Sequence, residues 1–331
     1  MKRIGIVAIG RNEGQRLRLC LESVLGCGLT VVYVDSGSTD GSIELAHELG
    51  ANVVNLEMAI KFSAARARNA GFERLVELDP TIEYVQFVDG DCELVAGWLA
   101  AGCEALEREP GIGVVDGRRR ERYRGGSPYN TLCDLEWDAP LGECRYCGGD
   151  ALMRAEAFRQ IGGYNPALIA GEEPEMCVRM RAAGWKIVRL GAEMSVHDAA
   201  MTRFRQWRRR AVRAGHAFAE GACLHGRRPE RHWVQESRSV WIWGFLVPLL
   251  ALAPATITHG WSLLLLLAYV LLAWRIYGHC RRRKLSASDT RLFVMFTIMG
   301  KFPQLAGQMH FWVKRLLSRE HQLIEYKGPG A

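Results

Sequence analysis

Two aspartates one residue apart close an apolar run, Tyr84-Val85-Gln86-Phe87-Val88-Asp89-Gly90-Asp91-Cys92. The run has the length and composition of a buried strand, so both carboxylates emerge where it ends, on a tight turn at Gly90. Hard oxygen ligands suit Mg2+ or Mn2+, which keep waters and phosphate oxygens in their shells. A cation held there can neutralise charge on a departing diphosphate. An Asp-x-Asp is also an ordinary polar turn, and on these residues alone both readings stand. Asp35 ends a second β-branched run, where a carboxylate can accept hydrogen bonds from a nucleobase or ribose, or serve its own turn. Glu172 and Glu173, with Glu175 close by, open a helical pattern after Gly171. The helix dipole favours acidic residues there; one of them can equally act as a general base toward an attacking hydroxyl. His197 reads as an imidazole metal ligand or as a strand-end histidine. Arg66 and Arg68 fall on different helix faces, so at most one need meet a phosphate.

The elements that must position these groups alternate. Ile4–Ile9 is an apolar strand, followed by a helix pattern through Leu17, Leu21, Val24 and Leu25. Thr30–Val34 is a second strand, and Ser36-Gly37-Ser38-Thr39-Asp40-Gly41-Ser42 a turn in which Thr39 or Asp40 can cap the next helix. Ala51–Leu56 is a third strand, Ala64–Leu78 a helix and Tyr84–Val88 a fourth strand. Helices are expected at Arg154–Ile161 and after Gly171, then a strand at Trp185–Leu190. Such alternation predicts an α/β fold with a mostly parallel sheet covered on both faces. Ligands of these sheets bind beyond the carboxyl ends of the strands, where Asp35, Asp89 and Asp91 lie.

The chain has 331 residues, 49% hydrophobic and 24% charged, enough for one large catalytic domain and a further module. Its net charge of +7, mostly arginine, suits phosphates, nucleic acid or anionic lipid. The ten cysteines follow no framework, and Ile4–Ile9 is too short for a signal-peptide core. Reduced thiols in a cytosolic catalytic domain are therefore expected. Cys144-x-x-Cys147 has metal-ligand spacing but no second pair nearby, which leaves zinc binding or a plain structural role. Between Arg238 and Arg275 there is no Lys, Arg, Asp or Glu. A spanning helix takes ~20 apolar residues, so the stretch predicts a hairpin of two short spans, 239–257 and 260–277, turning at Thr258-His259-Gly260. Five consecutive leucines and flanking tryptophans suit lipid and its interfaces; a buried soluble hairpin is the alternative. Arginines precede the hairpin (Arg203, Arg205, Arg208, Arg209, Arg210, Arg213), and Arg281, Arg282, Arg283 and Lys284 follow it. Both flanks are then cytoplasmic by the positive-inside rule. Leu292–Gly300, broken by Lys301 and Pro303, together with Phe311-Trp312 and Lys314-Arg315 reads as an interfacial amphipathic helix, with a third span as the alternative.

Taken in order, the motifs resemble the inverting glycosyltransferases of family 2. Val7-Ala8-Ile9-Gly10-Arg11-Asn12-Glu13 is similar to their first-strand Asn-Glu motif, and Val34-Asp35-Ser36-Gly37-Ser38-Thr39-Asp40-Gly41-Ser42 to their nucleotide-binding turn. Ala65-Arg66-Ala67-Arg68-Asn69-Ala70-Gly71 resembles their Ala-Arg-Asn-x-Gly segment, and Asp89-Gly90-Asp91 their metal-binding Asp-x-Asp. Gly148-Gly149-Asp150-Ala151-Leu152-Met153-Arg154 and Gly171-Glu172-Glu173 resemble the acceptor-side motifs. The match covers about residues 3 to 200. It implies the GT-A fold, a Rossmann-like α/β/α sandwich, at 1–222. Residues 1–92 would be the nucleotide-sugar half, and 93–222 the acceptor half with a basic juxtamembrane helix. A transmembrane hairpin at 223–280 would follow, then a basic loop, amphipathic helix and tail at 281–331. The resemblance gives Glu13 and Asp35 the base and ribose, Arg66, Arg68, Asp89 and Gly90 the rest of the nucleotide sugar, and Asp91 with His197 a Mn2+ or Mg2+ ion. Glu173 stands where the family has the Asp of a Glu-Asp pair, the catalytic base, with Glu172 as fallback. Gly149 and Asp150, with Arg205 and Arg209, would face the acceptor or its phosphate. The Gln-x-x-Arg-Trp motif of processive members is replaced by Phe204-Arg205-Gln206-Trp207-Arg208-Arg209-Arg210, so transfer of one sugar is expected.

The leading expectation is thus an integral membrane enzyme with a cytoplasmic catalytic domain, moving one sugar from a nucleoside diphosphate sugar to a polyprenyl-linked or glycolipid acceptor in assembly of surface or exopolysaccharide. Direct transfer onto polyprenyl phosphate is the enzymatic alternative. A non-catalytic nucleotide-sugar-binding scaffold at the membrane is the alternative of another class. Nucleic acid is not an expected partner, because the arginines concentrate beside the hairpin, where anionic lipid accounts for them. Homo-oligomerisation is left open.

Overall fold

A computed structural model describes residues 3–26 and 28–317 and divides into two compact units. The first comprises the chain to Tyr123 together with Glu136–Ala200; the second comprises Arg124–Leu135 and the chain from Met201 onward. The basic residues 201–222, expected from sequence within the catalytic domain, therefore group with the second unit. The C-terminal tail beyond Leu317 lies outside the described residues.

In the first unit the order is β1 (Ile4–Gly10), α1 (Gln15–Leu25), β2 (Thr30–Asp35), α2 (Ser42–Glu48), β3 (Asn52–Asn55), α3 (Ala64–Leu78), β4 (Tyr84–Asp89), β5 (Cys92–Leu94), α4 (Trp98–Arg108) and β6 (Ile112–Glu121). After α5 (Pro128–Trp137), which ends in this unit, come β7 (Gly142–Glu143), β8 (Ala151–Arg154), α6 (Ala155–Gln160), α7 (Glu172–Ala182) and β9 (Lys186–His197). The strands form one mixed sheet in the order β3-β2-β1-β4-β8-β6-β9-β5, with β7 beside β9. β3, β2, β1 and β4 run parallel, as do β6 and β9; β8 lies antiparallel between β4 and β6, and β5 and β7 run antiparallel to β9. Successive strand residues face opposite sides, and both sides are apolar. Val7, Val32, Phe87 and Met153 enter one core with Leu75 and Phe158. Ile6, Val31, Val88 and Leu152 enter the other with Leu17, Trp98 and Leu106. Helices on both faces explain why these strands read as unbroken apolar runs.

The approach of α3 to the sheet depends on Gly71. A Cβ there would lie 2.3 Å from Val7 Cγ1 and 2.9 Å from Val34 Cγ2. The strand expected at Trp185–Leu190 continues to His197, and β6 was not legible in the sequence. Its end, Gly117-Arg118-Arg119-Arg120-Glu121, reads as solvated charge, but sheet pairing with β9 carries it to Glu121.

The second unit is helical: α8 (Phe204–His225), α9 (Val234–Trp241), a π segment (Ile242–Leu246), α10 (Val247–Leu252), a 3-10 segment (Trp261–Leu267), α11 (Ala268–Arg282), α12 (Ala287–Met299) and α13 (Lys301–Leu316). α8 and α13 cross at two glycines. A Cβ on Gly215 would sit 1.9 Å from the Gln304 carbonyl oxygen, and one on Gly307 would sit 2.0 Å from that of Val212. Tyr129, in the Arg124–Leu135 segment, meets Phe296 of α12 edge-on at 5.7 Å, and Trp207 meets the same ring at 4.8 Å. Arg124 pairs with Asp289 at 2.9 Å and Asp134 at 3.0 Å.

Residues 234–282 form the expected hairpin with different bounds. Its first arm is helical only to Leu252, and its second begins at Trp261. Among the described residues one helix, Trp261–Arg282, is long and apolar enough to cross a membrane, with mean hydropathy 1.7 and 6% of its most apolar window buried. Leu292–Gly300 falls in α12, whose 13 residues are short of the ~20 that a span takes. α13 is continuous through Pro303 and exposes Phe302, Met309, Val313 and Leu316 while burying Phe311.

Candidate active site

Three parallel strands deliver the first residues. Ile9 is in register with Asp89, and Gly10 with Asp35, so both aspartates lie at carboxyl ends flanking β1. The turn after β4 closes through Gly90 N–H donating to the Ile9 carbonyl at 2.7 Å. A Cβ on Gly90 would meet that carbonyl at 3.0 Å and Glu13 Cγ at 3.3 Å, so glycine lets Glu13 and the aspartates approach. Glu13 also pairs with Arg16 at 2.8 Å.

Asp35 is 1% exposed. Its Oδ2 accepts the N–H groups of Gly37 (2.8 Å) and Ser38 (2.7 Å), and its Oδ1 accepts the hydroxyls of Tyr33 and Ser38. These donors commit the carboxylate to its own turn in this conformation. Asn12 Oδ1 accepts from Thr39 N–H at 2.8 Å, and Asn12 N–H donates to Ser38 Oγ at 2.9 Å. The turn is thereby latched to the segment after β1. Asp40, at the start of α2, accepts from Ser42 N–H at 3.1 Å.

The two arginines of α3 diverge. Arg66 donates to the carbonyls of Ile60 and Lys61 at 2.7 Å each and of Glu57 at 3.1 Å. It staples the loop before α3 instead of meeting the strand ends. Arg68 is 2% exposed and joins the site: Nη2 is 2.8 Å from Asp89 Oδ1, and Nη1 is 2.9 Å from Glu173 and 3.6 Å from Glu172. Gly149 makes room for this bridge, because a Cβ there would lie 2.5 Å from Arg68 Nη2 and 2.8 Å from Asp89 Oδ2.

Glu173 sits in the first turn of α7, after Gly171 in the left-handed conformation at φ 80°. Burial, then the neighbouring Glu172 carboxylate, push its pKa up to about 7 against the pull of Arg68. Asp89 has the opposite balance. Burial raises its pKa, but Arg68 and Arg119 more than compensate and hold it below the usual carboxylate value. Two carboxylates bridged by one guanidinium thus differ in proton affinity, the pattern expected of a base beside a permanently ionised group. Glu175 is instead held by Arg179 at 2.7 Å.

The sheet register assembles the second cluster. Cys92 pairs with His197, and Glu121 pairs with the same histidine from the other side. His197 Nε2 is 3.4 Å from Asp91 Oδ2, and Nδ1 is 3.4 Å from Glu121 Oε2. That Glu121 oxygen also accepts Ala199 N–H at 3.0 Å, and Trp137 packs edge-on against the imidazole at 4.6 Å. One ligand atom each from Asp91, Cys92 and His197 fall within 4.8 Å of one another. A carboxylate and an imidazole in this proximity could hold a divalent cation. Burial and the Asp150 carboxylate push the Cys92 thiol pKa well above the usual value.

Asp150 differs from its expected place toward an acceptor. It is fully buried; its Oδ1 accepts Asp89 N–H at 3.0 Å, while Oδ2 accepts Ser195 Oγ–H at 2.6 Å and pairs with Arg119 at 3.1 Å. Its position makes it a brace for β4 and Arg119. Arg205 and Arg209 lie on α8, in the second unit. Cys147 meets Cys177 at 3.5 Å and Cys144 donates to the Tyr146 carbonyl at 3.4 Å; neither belongs to a cluster of metal-ligand atoms among the described residues. The nine described cysteines are free thiols. Sequence reasoning missed Glu121, Arg119 and Ser195. A period-two reading of 117–121 puts Arg119 and Glu121 on one face, and that alternation was the available signal.

Residues 6–162 match the family described as glycosyl transferase family 2, and residues 134–204 match the N-terminal domain of galactosyltransferase. The succinoglycan biosynthesis protein ExoA of Rhizobium meliloti is 27% identical over 191 residues, 53% of this chain and 57% of its own. Glycosyltransferase AglE of Haloferax volcanii is 24% identical over 189 residues, 53% of this chain and 60% of its own. A pre-mycofactocin glycosyltransferase of Mycobacterium tuberculosis is 26% identical over 238 residues, 67% of this chain and 48% of its own. The chain thus spans about half to three-fifths of the length of these relatives. Among solved structures, mannosyltransferase PcManGT from Pyrobaculum calidifontis, in complex with GDP-Man and Mn2+, superposes with a TM-score of 0.59 at 18% identity, over 96% of this chain and 88% of that one. S. aureus TarS 1-349 superposes at 0.53 with 13% identity, over 97% and 93%. These likenesses show the fold. Motifs, site geometry and family match agree: residues 6–162 match glycosyltransferase family 2, and the fold is GT-A.

Proposed function

We propose that the enzyme transfers one sugar, with inversion, from a nucleoside diphosphate sugar to a hydroxyl of a lipid-linked acceptor. The observation that carries this reading is Glu173: buried, at a helix start, with a pKa of about 7, and tied through Arg68 to Asp89 at the strand end. Glu173 accepts the proton of the acceptor hydroxyl as that oxygen bonds to the anomeric carbon. The bond from that carbon to the diphosphate oxygen breaks on the opposite side, and the nucleoside diphosphate leaves. Arg68 orients the base and holds Asp89 ionised. Asp91 and His197 would hold a divalent cation, which when bound offsets charge on the diphosphate; a structural neighbour is in complex with GDP-Man and Mn2+.

The apolar helix Trp261–Arg282 supports an acceptor in a bilayer, with the arginine-rich flanks and the active site on its cytoplasmic side. A relative named for succinoglycan biosynthesis supports a polysaccharide pathway. The test is nucleotide release and product formation over a panel of nucleotide sugars with membrane extract. Asp91→Ala and Glu173→Gln should each lose at least about 100-fold in rate; near-wild-type rates in both would sink the assignment. The arginines of α8 favour a second reading, transfer onto polyprenyl phosphate. That nucleophile is already ionised, so full activity in Glu173→Gln alone would select it.

A further inference from the structure

We propose that α13 lies flat in the headgroup–acyl boundary of an anionic bilayer, with Phe302, Met309, Val313 and Leu316 turned into the lipid and α8 carried on its water side. This rests on the membrane reading above. It names a second lipid-facing surface of the helical unit, apart from the apolar hairpin, and leaves no third span in α12 and α13.

One side of α13 is already taken. Gly307, Gln308 and Phe311 are buried. Gly307 lies against the Val212 carbonyl of α8, and Phe311 meets His216 of α8 edge-on at 5.4 Å. Gln308 accepts the Ser237 hydroxyl of α9 at 2.9 Å. At ~3.6 residues per turn, Met309 points about 160° away from both Gly307 and Phe311. Phe302, Val313 and Leu316 fall within about 40° of Met309. They form one stripe facing away from α8, with Met309 49% exposed, Val313 51% and Leu316 81%. Contiguous exposed apolar surface marks a site for protein or membrane.

Charge selects lipid. From Thr290 to Leu317 there is no Asp or Glu, while Arg291, Lys301, Lys314 and Arg315 are basic. A second copy laid on the stripe would bring like charges together with no carboxylate between them, whereas anionic headgroups complement them. An apolar face, basic ends and Trp312 at the edge of the stripe suit a helix lying in the interface plane. The competing arrangement is a span made of α12 and α13 in tandem, because Gly300 between them is itself in the right-handed helical conformation. The packing on α8 excludes it. Phe296 of α12 meets Trp207 of α8 at 4.8 Å, and α13 crosses α8 where Gly307 and Gly215 face each other. Arg208, Arg209, Arg210 and Arg213 all lie within about two turns of Gly215. A tandem span would draw these arginines into hydrocarbon, where charged side chains are costly. A flat α13 leaves them on the water side.

The test uses the full-length protein on anionic phospholipid vesicles whose acyl chains are brominated near the headgroups or near the bilayer centre. Trp312→Phe should remove part of the tryptophan quenching by shallow bromines and none of that by central ones. In a Val313→Glu background, which puts a charge on the stripe, the same change should remove nothing. Loss of central quenching on Trp312→Phe means a span; loss of neither means that α13 stands clear of lipid; and shallow loss that persists beside Val313→Glu means that the stripe is not the contact. Each of these overturns the proposal, while flotation of the protein with the vesicles leaves the membrane reading intact. Shallow loss of equal size on zwitterionic vesicles overturns the assignment to anionic lipid. Failure to float with vesicles of any composition overturns both the proposal and the membrane reading.

Discussion

Glu173 and Asp89 share one guanidinium yet are pushed in opposite directions, and that asymmetry makes their chemistry predictable. A base with a pKa of about 7 is protonated in acid and active above that value. The wild-type kcat/KM should therefore rise as pH increases through about 7 and level off beyond it, measured by nucleotide release. Arg68 lowers the Glu173 pKa, so Arg68→Gln should move the rising limb to higher pH. The same change leaves buried carboxylates without a counter-charge, which costs ~3–5 kcal/mol in comparable pairs; denaturant unfolding should show it. Glu121 makes no ligand contact in this scheme and acts through His197. Its Oε2 lies 3.4 Å from Nδ1, while Nε2 is turned toward Asp91. Losing such an outer carboxylate typically weakens metal affinity ~10–100-fold. Glu121→Gln should do so in a Mn2+ titration followed by paramagnetic resonance, and Glu121→Asp should recover part of the loss.

At the scale of elements, two glycines set how closely parts of the site can approach. Gly71 brings α3 onto the sheet and with it Arg68, one turn earlier. Gly71→Ala forces a methyl to within 2.3 Å of Val7, an overpacking that costs ~1–3 kcal/mol and should appear as a lowered Tm. Gly149→Ala intrudes on the Arg68–Asp89 pair itself. It should cut activity more than it cuts Tm, because its neighbours are site residues and not core. The helix Ala64–Leu78 was legible to the residue because Ser63 caps it and its apolar positions repeat at helical spacing. The end of β6 was not, because three consecutive arginines carry no strand signature until a neighbouring strand supplies hydrogen bonds and register.

For the whole chain, the +7 charge and the apolar hairpin predict vesicle binding that needs anionic lipid and weakens with salt as the Debye length shrinks below ~10 Å. Co-flotation at low and high ionic strength measures it. If hydrophobic insertion dominates, salt should slow binding without releasing protein already inserted.

The sequence by itself determined the strand–helix alternation, the family, the placing of Asp89 and Asp91 at a strand end, and the uncharged hairpin. Each of these is written locally, in periodicity, turn residues and short motifs. Only the tertiary structure decided which polar residues meet. It placed Arg68 inside and Arg66 on a loop, turned Asp150 into a buried brace, and closed Asp35 over its own turn. It also set Glu121 behind His197 through a register between strands about seventy residues apart in sequence. The reason is physical: a carboxylate's role is fixed by its burial and by the donors that converge on it, and those come from distant segments.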